Sequence, residues 1–143
     1  MRKIQKSAIV PYTVAQMFAL VDDIASYADF LPWCSRSEVK ARSIDIVEAE
    51  LTISYSSLNK TFTTRNINTP DTSIEMQLIE GPFKHLNGHW GFEMLGNEGC
   101  KVSLNLSFEF SSKLLDMTIG PVFSQIANSL VDAFTERAIK VYG

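Results

Sequence analysis

The C-terminal segment carries an apolar pattern that constrains what the rest of the chain can fold into. Between Lys113 and Val141, apolar side chains recur mostly every three or four residues, which is the period of an amphipathic α-helix. Pro121 interrupts this pattern. Because proline fits a first helical turn but removes a backbone donor farther in, we expect either a kink there or a main helix that starts near Gly120. That helix would be about 32 Å long and needs a hydrophobic surface of similar length.

Upstream of that segment, the apolar period changes from that of a helix to that of a strand. Between Val102 and Phe110, hydrophobic side chains at even positions alternate with polar ones at odd positions, which predicts a strand with one buried face. Further strands are predicted at residues 38–42, 47–55, 60–68, 74–78 and 86–94. Turn-forming sequences separate the later ones, at residues 56–59, 69–72, 81–82 and 96–99. Short turns between strands indicate antiparallel pairing.

The N-terminal part of the chain has signals for one strand followed by two short helices. The segment Lys3–Val10 alternates weakly and precedes a proline. Thr13 and Gln16 have the spacing of a capping box, which starts a helix. A second short helix is expected to end at Pro32, because proline disfavours the helical conformation of the residue before it.

Together these patterns predict one α+β domain that spans residues 1–143. Its architecture is a curved antiparallel sheet of six or seven strands wrapped around the long C-terminal helix, with the two short helices after the first strand. A ten-residue strand spans about 33 Å, which matches the length of the helix. Gly88 and Gly91 are plausible positions for the bulges that such curvature requires.

Composition limits the location and the partners of the protein. The chain has no apolar run near the roughly 18 residues of a membrane span, and its apolar N-terminal stretch is too short for a signal peptide. We therefore expect a cytoplasmic protein, with transient contact at the inner face of the cell membrane left open. The net charge of −3 argues against DNA binding and against general attraction to nucleic acid. Cys34 and Cys100 lie in no CxxC pattern, so reduced thiols are expected.

Basic side chains are concentrated near the N-terminus. Residues 1–43 hold six basic and four acidic side chains. Arg36, Lys40 and Arg42 have the same parity on a predicted strand, so we expect them to share one face. Such a face either is simply solvated or contacts an anionic partner, and the sequence leaves both alternatives open.

The sequence contains no recognisable catalytic or metal-binding motif. It has no GxSxG, HExxH or glycine-rich phosphate loop. His85 and His89 fall on the polar parity of a predicted strand, about 13 Å apart, so we expect two surface histidines. Arg65 and Glu80 would be site candidates only if a bulge turned them inward. We expect a protein that is not an enzyme and that uses neither metal nor cofactor.

Five short motifs stand out between the predicted elements: Phe30-Leu-Pro-Trp-Cys34, Gly81-Pro-Phe83, Leu86-x-Gly88-x-Trp90-x-Phe92, Gly120-Pro-Val-Phe123 and Asp132-Ala-Phe134. Together they resemble the START-like superfamily (polyketide cyclase/lipid transport) and, within it, the branch of ribosome association toxins and coenzyme-Q-binding proteins. The resemblance covers essentially the whole chain. One departure is Ala28, where the family often has proline.

The resemblance implies the helix-grip fold and two alternative functions. The first is a non-enzymatic protein that binds ubiquinone or a related isoprenoid quinone or lipid in an internal cavity and supports respiratory electron transport. The second is a toxin-like protein that binds the large ribosomal subunit and inhibits the initiation of translation. Aromatase or cyclase activity is suggested only by the superfamily name.

The predicted interior is rich in aromatic rings, which either pack as a solid core or line a cavity for an apolar ligand. With the resemblance, we predict a cavity and expect the head of its ligand near Trp33, Phe83 and Trp90. The predicted lining comprises Phe30, Leu31, Trp33, Phe62, Phe83, Leu86, Trp90, Phe92, Phe108, Phe110, Phe123, Ile126 and Leu130.

Overall fold

The structure is a computed structural model that describes residues 1–56 and 58–143. The described residues form seven strands, two short helices near the N-terminus and two consecutive helices at the C-terminus. In chain order the elements are β1 (Arg2–Val10), α1 (Val14–Asp22), a 3₁₀ turn (Ile24–Ser26), α2 (Tyr27–Phe30), β2 (Cys34–Arg42), β3 (Ile46–Tyr55), β4 (Leu58–Thr69), β5 (Ser73–Glu80), β6 (Phe83–Leu95), β7 (Gly99–Phe110), α3 (Lys113–Asn128) and α4 (Leu130–Tyr142).

The strands make one antiparallel sheet in the order β1-β7-β6-β5-β4-β3-β2. Strands β2 to β7 are successive hairpins, and β1 joins the sheet beside β7. The concave face of the sheet packs on the C-terminal helices, and the predicted α+β helix-grip architecture is confirmed. One predicted turn, at residues 56–59, includes residue 57, which lies outside the described residues. Leu58 on its far side already belongs to β4.

The bulges that curve the sheet are not at the predicted glycines. Register shifts leave single extra residues at Ser35 and Lys40 in β2, at Ile79 in β5 and at Lys84 in β6. The ladder between β6 and β7 is regular through Gly88 and Gly91, so that prediction was wrong.

Gly88 has a packing role instead of a bending role. It points into the interior, where an added Cβ would collide with the end of the Met76 side chain and lie 3.1 Å from Leu106. The glycine therefore makes room for Met76 beneath the sheet.

The capping box predicted for α1 is present. The backbone N–H of Gln16 donates to the hydroxyl of Thr13 at 3.1 Å, and the backbone N–H of Thr13 donates to the side-chain oxygen of Gln16 at 2.9 Å. The second helix ends at Phe30, two residues before Pro32, as expected from the restriction that proline places on its predecessor.

The C-terminal helix begins earlier than predicted and is broken elsewhere. Helix α3 starts at Lys113, where the hydroxyl of Ser112 caps it by accepting from the backbone N–H of Leu115 at 3.0 Å. The helix continues through Pro121, so a main helix starting near Gly120 was a wrong prediction. Proline is tolerated because Pro121 lies on the exposed side, where water satisfies the carbonyl left without a donor.

The interruption lies at Ser129, between α3 and α4. Its backbone N–H bonds to the carbonyl of Ile126 at 3.1 Å, and its hydroxyl donates to the same carbonyl at 2.7 Å. This short-range pairing replaces the usual helical bond, and a serine side chain that bonds back to the helix commonly bends it.

One half-buried link ties the first strand to α3. The guanidinium of Arg2 donates to the backbone oxygen of Asp116 at 2.9 Å and lies 3.6 Å from its carboxylate. The other carboxylate oxygen of Asp116 accepts from the backbone N–H of Phe110 at 3.2 Å. Gly120 leaves the space that the guanidinium occupies, since an added Cβ would lie only 2.7 Å from Nη2 of Arg2.

We therefore predict that the effect of Gly120→Ala changes sign with the residue at position 2. In the native chain the new methyl group displaces Arg2 and costs about 1–3 kcal/mol of unfolding free energy. In an Arg2→Ala background the clash is gone, and the higher helix propensity of alanine stabilises by about 1 kcal/mol. Urea unfolding of the four proteins of this double-mutant cycle measures both values. Equal effects in the two backgrounds would contradict the role given to Gly120.

Candidate functional site: a cavity beneath the sheet and a groove outside it

A cavity of about 80 Å³ lies between the concave face of the sheet and the C-terminal helices. Its wall is mostly hydrophobic and draws on nearly every element of the fold. The lining residues are Ile24, Tyr27, Trp33, Ala49, Leu51, Ile53, Phe62, Thr64, Asn66, Met76, Leu86, Trp90, Leu106, Phe123, Ile126, Ala127, Leu130 and Phe134.

The cavity exists where the helix is interrupted. Ile126 and Ala127 come from the last turn of α3, and Leu130 begins α4. Across the cavity, the strands present small or slender side chains such as Ala49 and Thr64. Because the sheet curves away while the helix bends at Ser129, the apolar side chains of the two layers do not fill the space between them.

Two buried polar side chains on β4 interrupt this hydrophobic wall. Thr64 is 7% and Asn66 is 6% exposed. The hydroxyl of Thr64 donates to the side-chain oxygen of Asn66 at 3.1 Å. A few convergent polar groups in an apolar pocket are what orients a bound small molecule.

Sequence reasoning missed this polar pair, although a signal was available. Phe62 fixes which face of β4 is buried, and positions 64, 66 and 68 share its parity. Ile67 has the opposite parity and, as an apolar residue, makes the opposite face look like the buried one. It lies on the outer side of the sheet, however, paired with Ile46 and Glu75.

Tyr27 closes one side of the cavity and is held neutral. Its hydroxyl donates to the backbone carbonyl of Val21. Burial, reinforced by the nearby carboxylates of Asp22 and Asp23, raises the pKa of Tyr27 far above its ordinary value of 10.0. The ring packs edge-on against Phe134 with 5.3 Å between centroids.

The structure places seven of the thirteen predicted lining residues at the cavity wall. They come from five different elements or connections of the fold, which the tertiary structure brings together around one space. These seven are Trp33, Phe62, Leu86, Trp90, Phe123, Ile126 and Leu130.

Three of the other predicted residues form a packed aromatic cluster instead. Phe83, Phe108 and Phe110 interlock with Phe62 and Phe123 at the end of the sheet where α3 begins. The rings of Phe83 and Phe110 stack with 4.6 Å between centroids. They face inward as predicted, but this end of the sheet lies close to the helix and leaves no space between them.

The remaining three predicted lining residues also lie away from the cavity. Phe92 packs on Phe18 of α1 at 5.6 Å between centroids. Leu31 is fully buried among other core residues, at 1% exposed. Phe30 is half-buried at the edge of the core, where its ring packs on Phe134 with 5.4 Å between centroids and the guanidinium of Arg137 covers it at 4.8 Å.

Phe30 belongs to a second depression, a groove of about 560 Å³ on the outside of the molecule. The groove runs between α4 and the connection from α2 to β2. It has both apolar and charged walls, formed by Asp29, Phe30, Pro32, Trp33, Ser129, Asp132, Ala133, Glu136, Arg137 and Lys140. Trp33 is common to the cavity and the groove.

The three basic residues predicted to share a face are divided by the bulge at Lys40. Arg36 pairs across the sheet with Thr52 on the outer face, whereas Arg42 pairs with buried Val47 and so projects on the inner side. The prediction of one common face was therefore wrong for Arg42. Its guanidinium binds the carboxylate of Asp22 at 3.0 Å.

The other two basic residues have acidic neighbours on the outer face. Arg36 contacts the carboxylate of Glu38 at 2.6 Å, and Lys40 lies 3.4 Å from Glu38 and 3.9 Å from Glu50. The hydrogen bond from Arg36 is the main reason that the pKa of Glu38 is lowered. Arg65 is likewise outward, 2.9 Å from Glu48, and Glu80 is exposed.

The histidines are arranged as expected for a protein surface. His85 pairs across the sheet with Glu109, and His89 with Asn105, both on the outer face. Within residues 1–56 and 58–143, no three histidine, cysteine or carboxylate side chains are grouped closely enough to hold a metal ion. Among the helices of this same part of the chain, none combines the length and hydrophobicity needed to cross a membrane.

We predict that Tyr27→Phe flattens the loss of stability at alkaline pH. Because the folded-state pKa is raised, the contribution of the neutral phenol is complete below about pH 10 and is lost as the pH rises above that value. The variant also loses the hydrogen bond to Val21, which lowers its unfolding free energy near neutral pH by about 1 kcal/mol. Urea unfolding between about pH 7 and pH 11.5 measures both effects. The pKa values of the buried thiols of Cys34 and Cys100 are also raised, but both thiols remain in the variant and contribute equally to the two proteins. If the unfolding free energy of the variant falls with pH above pH 10 as steeply as that of the native chain, this assignment is contradicted.

Two relatives are similar to this chain in sequence over nearly all of its length. The ribosome association toxin RatA of Pseudomonas aeruginosa is 48% identical over 98% of this chain and 97% of its own length. The coenzyme Q-binding protein COQ10 homolog B of Xenopus laevis is 27% identical over 96% of this chain and 58% of its own length.

Solved structures agree with the fold. The solution structure of an 18 kDa protein from Caulobacter crescentus superposes with a TM-score of 0.79 at 32% identity, covering 100% of this chain and 99% of that one. The Zhui aromatase/cyclase from Streptomyces reaches 0.85 over 99% of this chain and 98% of its own, but at 17% identity it shows the shared fold alone.

A family model described as polyketide cyclase / dehydrase and lipid transport matches residues 10–135. The match includes strands β2 to β7, the cavity and most of the C-terminal helices. The chain therefore belongs to the polyketide cyclase / dehydrase and lipid transport family of START-like proteins, in the branch that contains relatives named RatA and a coenzyme Q-binding protein.

Proposed function

We propose that this protein associates with the ribosome and restrains translation by binding the large subunit. The observation that carries this proposal is the 48% identity with the Pseudomonas ribosome association toxin, which extends over nearly the full length of both chains. A surface used by that relative therefore has a counterpart on this chain. The names of these relatives are not those of enzymes, and the proposed function requires no catalysis.

The outer face around Arg36 and Lys40 is the proposed contact with ribosomal RNA. Both side chains are paired with carboxylates in the free protein. Exposed ion pairs contribute only about 0–1 kcal/mol, so RNA phosphates can replace Glu38 as the partner at small cost. The outward position of both residues on β2, at the edge of the sheet, leaves them accessible to a large partner.

We predict salt-dependent co-sedimentation with large ribosomal subunits. Two phosphate contacts release enough counterions to weaken binding about tenfold between 50 and 200 mM salt. Sedimentation of purified protein with isolated subunits across this salt range gives the slope. Absence of co-sedimentation even at the lowest salt would remove the proposal.

Charge variants locate the surface in the same assay. The double change Arg36→Glu and Lys40→Glu is expected to weaken binding at least about tenfold, and Glu38→Gln is expected to strengthen it because it frees Arg36 and removes one of the two carboxylates beside Lys40. Lys101→Glu is the matched control, since Lys101 is an exposed lysine on the outer face of β7. If the control weakens binding as much as the double variant, this face is not the specific contact.

A second candidate function is favoured by the apolar cavity itself. The cavity, with its Thr64–Asn66 pair, suits a hydrophobic molecule with a polar group, and ubiquinone or a related isoprenoid quinone or lipid is the class that we propose. Burial of apolar surface at about 25 cal/mol per Å² supplies the affinity, and the bound lipid would serve respiratory electron transport. A volume of 80 Å³ is well below the roughly 300–1,000 Å³ of a drug-sized site, so the cavity must enlarge to admit such a molecule.

We predict that filling the cavity abolishes uptake of quinone without unfolding the protein. Ala49→Leu projects a larger side chain into the space, and titration with a short-chain ubiquinone should show at least about a tenfold loss of affinity. Lipid mass spectrometry of the native protein identifies what it carries. The variant's circular dichroism and melting curve are the control for folding. Equal affinity in native and variant proteins would place the quinone elsewhere.

A further inference from the structure

Trp33 separates the internal cavity from the outer groove. Its side chain belongs to both walls, although only 8% of the residue is exposed. On the inner side it faces residues such as Trp90 and Leu130, and on the outer side it faces residues such as Ala133. Displacement of this one indole would therefore join the two spaces.

The indole of Trp33 is held differently from the other interior rings. Of the aromatic rings in the described residues, only those of Trp33 and Tyr55 make no ring-to-ring contact. Trp90, the other tryptophan of the cavity wall, packs edge-on against Phe134 with 5.3 Å between centroids. No aromatic partner has to move when the indole of Trp33 rotates.

The backbone of Trp33 is nevertheless fixed. Its carbonyl accepts from the backbone N–H of Ser54 at 2.8 Å, and the next residue, Cys34, donates to the carbonyl of Leu31 at 3.0 Å. Pro32 restricts the conformation of the residue before it. The side chain can thus change rotamer while the connection between α2 and β2 stays in place.

The opposite side of this partition is the break in the C-terminal helix. Leu130 lines the cavity, while Ser129 and Ala133 line the groove. A short-range hydrogen-bonded turn inside a helix often marks a hinge. The indole of Trp33 therefore lies opposite the interruption between α3 and α4.

We propose that Trp33 is the gate through which an apolar ligand passes from the groove between α2 and α4 into the cavity. This inference rests on the second candidate function. The open form would combine a groove of about 560 Å³ with the inner cavity, which brings the site into the range of a small-molecule pocket.

The charges of the groove indicate the class of ligand. Asp29, Asp132 and Glu136 face two cations, Arg137 and Lys140, and Arg137 is already engaged over the ring of Phe30. The groove has no excess of positive charge that would favour an anionic head group. An uncharged apolar molecule is therefore the class of ligand that we expect to pass through the groove.

The first test measures the gate without any ligand. In Trp33→Ala and Trp33→Phe, Trp90 is the single tryptophan, so acrylamide quenching reports access to the cavity wall. We expect the Stern–Volmer constant of Trp90 to rise at least about threefold in Trp33→Ala relative to Trp33→Phe, because only alanine leaves the partition open. Equal quenching in the two variants would overturn the gate.

The second test measures entry in a chain that keeps Trp33. The probe is N-phenyl-1-naphthylamine, an uncharged fluorophore, mixed with protein in a stopped-flow instrument. Ala133→Phe obstructs the groove and should slow uptake at least about fivefold. Met117→Phe is the matched control on the exposed side of α3 and should leave the rate unchanged.

The outcomes separate the gate from the binding function. Slowing by Met117→Phe but not by Ala133→Phe would place the entrance elsewhere and overturn the gate while uptake remains. Increased quenching of Trp90 in Trp33→Ala, together with no uptake of the probe or of a short-chain ubiquinone by any variant, would show that Trp33 separates the two spaces but would refute the ligand-binding function and, with it, the gate.

Discussion

The fold depends on burying the concave face of a seven-stranded sheet against a helix that is long enough to cross it. At the end where α3 begins, this contact is tight, because Phe62, Phe83, Phe108, Phe110 and Phe123 interlock edge to face. Each such ring pair contributes about 0.5–1.5 kcal/mol beyond the area that it buries. In the middle of the sheet the layers separate, because the helix is broken at Ser129 and the strands present Ala49 and Thr64. The void at the centre lowers the unfolding free energy in proportion to its volume. The dense packing at the other end of the sheet offsets that loss.

The two proposed functions use different parts of this architecture. Association with the ribosome needs only the outer face, where cations of β2 and β4 pair with carboxylates of β2 and β3. Ligand binding needs the interior, where Thr64 and Asn66 bring polar groups to a hydrophobic wall. Because the sheet separates these surfaces, charge changes on its outer face leave the cavity unaltered. The same fold can therefore carry either role, and a shared fold alone does not assign a function.

Ion pairing explains why the basic residues near the N-terminus do not form a basic patch. Some of them lie near carboxylates that are distant along the chain, such as Asp116 beside Arg2. Arg42 binds Asp22 of α1, and Lys40 lies near Glu50 of the neighbouring strand. Strand pairing and the bulge at Lys40 decide these contacts, and no count of charges in a segment contains that information.

The sequence by itself determined the classes of the elements and their order. Alternation in β7 and the helical period after Lys113 are local properties set by which side chains avoid water, so the antiparallel sheet and its C-terminal helix were predictable. The inward parity of Phe108 and Phe110 was also predictable, whereas Phe83 faces inward only because of the bulge at Lys84. Only the tertiary structure decided that these rings fill space while Trp33 and Trp90 border a cavity, because that depends on the distance between sheet and helix at each point. It likewise placed the helix break at Ser129 and the bulges outside the glycines, since a chain bends where packing between distant segments requires it.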